Sequence, residues 1–275
     1  MSPGLQSFRS ALFAPADDPA KAAKAFASTA DAVILDLEDA VLPTRKDEAR
    51  NTVRAFRRTS STLLMVRING ANTEWFEGDL SAAADCQADA LVLPKADAHA
   101  LDCLPDGGVP ILALIETASG LRDAVGIAEH PRVFALFLGG VDLTADMWLE
   151  PRTDGVELLF ARSTLVMASA AARLRPPVDV VHMRVRDPQS LRAECDLARS
   201  LGFGAKACIH PAQLDTVNAA FTPSADQRKR AEDILSAYTE AQSRGVGVVV
   251  VDGRLVDLPV VRWAERIVAQ GQGAS

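Results

Sequence analysis

The chain has 275 residues, of which 48% are hydrophobic and 24% charged, the composition of a folded globular protein rather than a disordered one. Its 36 acidic residues outnumber 29 basic ones, giving a formal net charge of −7. That balance disfavours nucleic acid or an anionic membrane as the main partner, while leaving room for a local basic pocket.

The opening segment, MSPGLQSFRS, lacks the charged and apolar regions of a signal peptide, and a cytoplasmic location is expected. Short apolar runs then recur along the chain: Ala11–Pro15, Ala32–Leu37, Leu63–Ile68, Ala90–Leu93, Ile111–Ile115, Val133–Leu138, Val178–His182 and Gly204–Ile209. They are mostly continuous rather than alternating, as strands covered on both faces require. Between them lie Ala-, Glu- and Arg-rich stretches with helical spacing, among them Pro19–Thr29, Arg45–Arg58, Gly120–Glu129, Val156–Leu174 and Ser190–Leu201. Eight strand-then-helix units in this length predict an α/β protein built as a (β/α)8 TIM barrel over residues 1–244. No GxGxxG follows the first strand, which removes the usual dinucleotide argument.

After the eighth strand the spacing predicts a helix over Ser224–Arg244, stopped by Gly245. Val246–Val251 and Arg254–Val256 then flank Asp252-Gly253, a strong hairpin-turn dipeptide. A last helix, Pro259–Gln270, runs into the tail GQGAS. Residues 245–275 thus exceed what eight units need, and read as a hairpin-and-helix lid or an oligomerisation arm. The longest apolar run here, Val248–Val251, is far below the ~20 residues that span a bilayer. Cys86, Cys103, Cys195 and Cys208 are scattered, which points to reduced thiols rather than a zinc site or a disulfide framework.

In such a barrel the reactive side chains stand at the C-terminal ends of the strands. Reading those positions gives Asp36 with Glu38 and Asp39, Arg67 with Asn69, Lys95, Glu116, Gly139-Gly140-Val141-Asp142 and His210. Glu116 and Asp142 come from adjacent strand ends. Two carboxylates plus waters suit Mg²⁺, with structural ion pairing as the competing role. Arg67 can bind a carboxylate or an oxyanion through its planar fork, or pair with Asp36 or Glu38. Asp36, Glu38 and Lys95 read as supporting residues. Lys95 in particular reads as an ion-pair partner rather than a Schiff-base amine, and His210 as a hydrogen-bonded structural residue.

Together these pieces resemble a known family. Arg9-Ser10-Ala11-Leu12-Phe13-Ala14-Pro15, Asp36-Leu37-Glu38-Asp39-Ala40-Val41, Arg67-Ile68-Asn69 and Leu93-Pro94-Lys95 come first. Ile115-Glu116-Thr117-Ala118-Ser119-Gly120-Leu121, Gly139-Gly140-Val141-Asp142-Leu143, Gly202-Phe203-Gly204-Ala205-Lys206 and Ile209-His210-Pro211-Ala212-Gln213 follow. In this order they resemble the citrate lyase β-subunit-like proteins of the HpcH/HpaI aldolase/citrate lyase family, over residues 8 to about 265. The resemblance implies a carbon–carbon lyase that uses Mg²⁺, or Mn²⁺ in its place, on CoA thioesters and small keto acids. It implies Glu116 and Asp142 as metal ligands, Arg67 at the keto-acid oxygens, and Gly140 and Val141 against the substrate. Asp252-Gly253-Arg254-Leu255-Val256-Asp257-Leu258-Pro259 resembles the family's lid, with Asp257 as the catalytic acid or base donated across a subunit boundary. A homotrimer or hexamer follows from that. Two departures, Val141 where many relatives carry an acid and Trp148 where many carry glycine, bear on which keto acid is bound.

The expected reaction is retro-Claisen cleavage, or formation, of a short 3-hydroxyacyl-CoA such as citramalyl-CoA or malyl-CoA. The alternatives are a citrate lyase β component acting on an acyl-carrier-protein thioester, a pyruvate-type class II aldolase, and a non-catalytic metabolite-binding barrel. Arg9, Lys21 and Lys24 are candidate partners for CoA phosphates.

Overall fold

The eight apolar runs form one closed parallel barrel in sequential order, β1 to β8. The strands are β1 (Ser10–Pro15), β2 (Ala32–Asp36), β3 (Leu63–Arg67), β4 (Ala90–Leu93), β5 (Ile111–Ile115), β6 (Val133–Leu138), β7 (Val178–Asp179) and β8 (Ala205–Cys208). The computed structural model describes residues 3–57 and 61–272. Arg58, the expected end of the second helix, and the last three residues of the tail lie outside them.

Alternation along the strands decides what enters the barrel. Ile34, Met65, Val92, Leu112, Leu114 and Phe137 belong to one buried cluster, with Leu5 and Phe8 from the N-terminal segment. Because side chains repeat every two residues, the series Ile34–Asp36, Met65–Arg67 and Leu114–Glu116 continues inward past the apolar layers. Polar groups therefore replace aliphatic ones at the barrel's C-terminal rim. The opposite strand face, with Val33, Leu35, Leu64 and Val66, is equally buried. Helices cover it: Lys46–Ala55 buries Ala49 and Val53, and Leu159–Ala171 buries Leu165 and Ala168, positions three or four residues apart on one helical face. Among the described residues no helix is long and apolar enough to cross a membrane.

β7 keeps only Val178–Asp179 of the expected Val178–His182. Its Asp179 pairs in register with Lys206 of β8. Both side chains are fully buried on the helix-facing side, where Asp179 also meets Arg162, at 2.9 Å, and Lys206 at 2.7 Å. Burying charge is tolerable only when it is paired, and here the pairing ties two strands to the helix Leu159–Ala171.

The chain divides into compact units at Ala219–Ala220. The helix Ala225–Ser243 thus groups with the C-terminal segment, whereas the expected boundary after residue 244 puts it with the barrel. The reason is apolar packing: its Ala231, Ile234 and Tyr238 share a buried cluster with Val256, Val261, Ala264 and Ile267. Within this unit, Ser224 caps the helix and Gln227 returns the bond, a complete capping box. The antiparallel strands β9 (Val249–Val251) and β10 (Arg254–Val256) form the expected hairpin, and the helix Leu258–Gln272 follows.

Candidate active site

Five of the expected residues form one continuous network across the ends of β2, β3, β4 and β5. Arg67 makes two parallel bonds to Asp36, Nε to Oδ1 at 2.7 Å and Nη2 to Oδ2 at 2.6 Å. Asp36 is buried and also accepts from the backbone N–H groups of Glu38 and Ala40. The Arg67 fork is therefore engaged by the protein itself, and only Nη1 turns onward, 3.2 Å from Glu38 Oε2 and 3.5 Å from Asp39 Oδ2. Burial works against the Arg67 charge, but the Asp36 pair and the nearby acids outweigh it and hold its pKa above the usual value. The guanidinium also lies 5.0 Å over the Phe13 ring, which fixes its plane.

Lys95 links this pair to Glu116. Its Nζ donates to Glu38 Oε1 at 2.8 Å, and its backbone N–H donates to Glu116 Oε1 at 2.8 Å. Lys95 makes both bonds from a left-handed backbone, at φ +47°. For a side-chain-bearing residue this left-handed conformation is strained and marks a constrained site. Burial pulls the ammonium pKa down, but the Glu38 bond and charge more than compensate, so it stays a cation. That matches an ion-pair partner and not a neutral Schiff-base amine.

Glu116 is 2% exposed. Burial first, then the charges of Glu38 and Asp142, push its carboxyl up to about 8. Burial likewise raises Glu38, against the pull of Arg67 and Lys95. Glu38 Oε2 is buried without a hydrogen bond, its contact with Arg67 being an ion contact only. Asp142 stands in the first turn of the helix Gly140–Asp146, which follows β6. The chain must approach Glu116 closely to place that turn. A Cβ on Gly139 would lie 2.4 Å from Glu116 Cβ and 2.8 Å from Oε2, and one on Gly140 would lie 2.8 Å from Leu158 Cδ1. Only glycine fits either position. Gly140 is buried and Val141 is exposed on the same turn.

This donor set fits a hard divalent cation. The oxygens are carboxylates, one of them is raised by burial and then by neighbouring negative charge, and a further buried oxygen lacks a hydrogen-bond donor. Among the described residues no group of three or more His, Cys, Asp or Glu side chains is arranged to hold a metal. A two-carboxylate site that leaves the other positions to water and substrate is the habit of Mg²⁺.

Other candidates lie elsewhere. Asp257 is half-buried between β10 and the helix Leu258–Gln272, in the C-terminal unit. His210 accepts from the N–H of Ala212 as part of a capping box, the structural role. Arg9 precedes β1, at the opposite end of the strand from the rim, and its guanidinium grips Asp31 through two 2.8 Å bonds. It is not placed to meet CoA phosphates at the rim. Lys21 is exposed and pairs with Asp18 at 3.2 Å.

Sequence reasoning missed Lys46. This buried ammonium donates to Leu37 O, Glu38 O and Asn69 Oδ1 at 2.6–2.8 Å, and so holds the loop that carries Glu38. It opens an ordinary charged helix, and nothing in its sequence surroundings sets it apart. The Asp179–Lys206 pair was readable in principle, as lone opposite charges inside Val178-Asp179-Val180 and Ala205-Lys206-Ala207.

Known proteins resemble this chain in sequence and in fold. Residues 161–273 match a C–C bond lyase family of the TIM-barrel fold. The (3S)-malyl-CoA thioesterase of Cereibacter sphaeroides is 37% identical over 96% of this chain and 95% of its own length. The citrate lyase subunit beta of Leuconostoc mesenteroides subsp. cremoris is 34% identical over 94% of this chain and 91% of its own. Among solved structures, CitE from Mycobacterium tuberculosis in complex with magnesium, acetoacetate and coenzyme A aligns with a TM-score of 0.84. It is 33% identical and covers 98% of this chain and 99% of its own. Residues 9–101 and 105–211 match the HpcH/HpaI aldolase/citrate lyase family, and the chain belongs to that family, whose members are lyases acting on carbon–carbon bonds.

Proposed function

We propose that the protein is a Mg²⁺-dependent lyase that cleaves or forms a short 3-hydroxyacyl-CoA, such as citramalyl-CoA or malyl-CoA, yielding an acyl-CoA and a 2-oxo acid. The observation that carries this reading is the Glu116 carboxyl, raised by burial and then by Glu38 and Asp142, and tied through Lys95 to the Arg67–Asp36 pair. Such a site is short of positive charge at its centre and ringed by fixed cations. The magnesium complexes of the CitE neighbours, with acetoacetate and coenzyme A or with oxaloacetate, support the same ion and ligand classes.

Glu116 and Asp142 would hold the ion. When bound, it favours negative charge on the oxygen that becomes the ketone. Arg67 adds a second positive charge beside that oxygen, held in place by Asp36 rather than free to swing. Cleavage removes the hydroxyl proton, turns the hydroxyl carbon into a carbonyl and leaves its former bonding pair on the thioester α-carbon as an enolate, so the proton lost from oxygen is balanced by one gained at carbon. A proton must reach that carbon, and Asp257 is the group assigned to deliver it, or to remove it in condensation. Gly140 and Val141 border the oxo-acid fragment.

A second reading is hydrolysis of the same thioester, favoured by the relatives named (3S)-malyl-CoA thioesterase. Mass spectrometry of the purified protein with Mg²⁺ and a panel of 3-hydroxyacyl-CoAs separates the two. Acyl-CoA and oxo acid in equal amounts are expected. Free CoA with the intact hydroxy acid would favour hydrolysis, and no product from any thioester would overturn both.

A further inference from the structure

Lys46 opens the helix Lys46–Ala55, yet it is only 4% exposed. A buried ammonium must find acceptors inside the protein. Its three protons have three, the carbonyl oxygens of Leu37 and Glu38 and Asn69 Oδ1, so the group is fully engaged in holding the chain. The Trp75 ring, with its centre 5.1 Å from Nζ, closes a further side.

These acceptors stand where the ladder between β2 and β3 ends. Asp36 faces Arg67 in register, and Leu37 N–H still donates to Arg67 O at 2.9 Å. The next rung is diverted, because Asn69 N–H turns to Asp79 Oδ2 at 2.8 Å. Leu37 O accepts instead from Asn69 Nδ2, at 2.8 Å, and from Lys46. Asn69 Nδ2 also donates to Asp79 at 2.6 Å, and Asp79 pairs with Arg50 at 3.3 Å. A polar column thus runs from Arg50 through Asp79, Asn69 and Lys46 to the carbonyl of Glu38. There the chain has left β2 and turns the Glu38 carboxylate back toward Lys95 and Arg67. One cation that grips both carbonyls fixes this turn.

We propose that Lys46 is a positioning residue for turnover. By clamping Leu37 and Glu38 to Asn69 it aims the Glu38 carboxylate at the Lys95 ammonium, and Lys95 in turn holds Glu116 through its backbone N–H. The inference rests on the lyase reading, and Lys46 acts through Glu38 and Lys95 rather than on the reacting atoms. Lys46 also borders a cavity of about 500 Å³, together with Glu38, Asn69, Trp75 and Lys95. The cavity makes the role testable by replacing the ammonium from solution. Lys46→Ala removes the equivalent of n-propylammonium, Cγ to Nζ, and the cavity gives that ion a way to the vacated place.

Turnover of malyl-CoA and citramalyl-CoA is measured at saturating Mg²⁺ and below the melting temperature of each variant, per folded molecule by circular dichroism. Lys46→Ala should lower kcat about 10- to 100-fold, the usual effect of losing a partner that orients a metal-site group. Propylammonium chloride should raise that kcat about fivefold or more by restoring donors to the stranded acceptors. Choline chloride at equal ionic strength, which has no N–H, should not. Lys46→Met fills the vacated place without a donor, so its kcat should fall as far and ignore the amine. A purely structural role lowers the melting temperature and leaves kcat per folded molecule unchanged. Near-wild-type kcat in the variants, or a loss in folded Lys46→Ala that propylammonium does not reverse, overturns the positioning role and leaves the lyase reading intact. Should Lys46→Ala fail to fold, Lys46→Met decides: kcat close to wild type overturns the role, and a loss of the expected size upholds it. Wild-type protein that cleaves neither thioester, nor any other 3-hydroxyacyl-CoA, overturns both readings.

Discussion

Glu116 is the residue whose state depends most on what surrounds it. In the metal-free protein its carboxyl titrates at about 8, raised by burial and then by Glu38 and Asp142. In the unfolded chain a glutamate titrates near ~4.3. Between these values the folded protein keeps a proton that the unfolded chain has lost, so this group's contribution to stability falls as pH rises through that window. Thermal melts of metal-free protein should show Glu116→Gln losing less stability than wild type between pH 5 and 8. A divalent ion competes with the same proton, so Mg²⁺ affinity should rise by up to about tenfold per pH unit below 8 and level off above it. A pH-independent Mg²⁺ affinity, or equal affinity in Glu116→Ala, would remove Glu116 from the metal site. Arg67 makes a different demand. Its two parallel bonds to Asp36 need a planar fork, which lysine lacks. Arg67→Lys should lower turnover about 10- to 100-fold, the worth of a hydrogen bond to a charged group, with Mg²⁺ binding retained. Near-wild-type turnover would make the fork dispensable.

The hairpin between β9 and β10 turns on two residues with positive φ, Asp252 at +51° and Gly253 at +72°. This two-residue turn matches the right-handed twist of its strands, and the second position suits a residue without a Cβ. Gly253→Ala should cost about 1 kcal/mol, and Gly253→Asn less, because asparagine tolerates the left-handed region. Hydrogen exchange of the peptide spanning residues 246–260 should quicken about fivefold in the alanine variant; unchanged protection would mean the turn does not limit opening. The hairpin was legible because Asp-Gly between apolar arms is a local signal. β4, β5 and β6 were legible to the residue for a similar reason, since continuous runs of Ala, Val, Leu, Ile and Phe stop at Pro94, Glu116 and Gly139. The rim residues followed from barrel geometry, because inward alternation carries Asp36, Arg67 and Glu116 to one place. Less was readable where tertiary contacts decide. The stretch Gly120–Glu129 forms two short helices, Ala118–Arg122 and Ala124–Ala128, rather than one. The left-handed Lys95 and the loop-holding Lys46 exist only because buried carboxylate and carbonyl groups converge on them, and no local pattern encodes that convergence.

The proposed chemistry divides between two compact units. Glu116, Asp142, Arg67 and Lys95 belong to Met1–Ala219, whereas Asp257 belongs to Ala220–Ser275. An acid or base far along the chain from the cation site gains nothing unless some barrel receives it, its own or a neighbour's. The general acid or base contributes about 10²–10⁴-fold, so Asp257→Ala should lose turnover by that order while Mg²⁺ and oxo-acid binding persist. Full activity in Asp257→Ala would end the catalytic assignment. The expected homotrimer or hexamer makes a second measurement decisive. Asp257→Ala and Glu116→Ala proteins should each be inactive alone. If the C-terminal unit serves a neighbouring barrel, exchange of subunits creates sites that join an intact Glu116 with an intact Asp257 from another chain. Random mixing in equal amounts places both in about a quarter of the sites, so roughly that fraction of wild-type turnover should return. Exchange can be verified independently by native mass spectrometry of a mass-labelled variant. Recovery after verified exchange assigns Asp257 to the neighbour's barrel, and no recovery after verified exchange assigns it to its own.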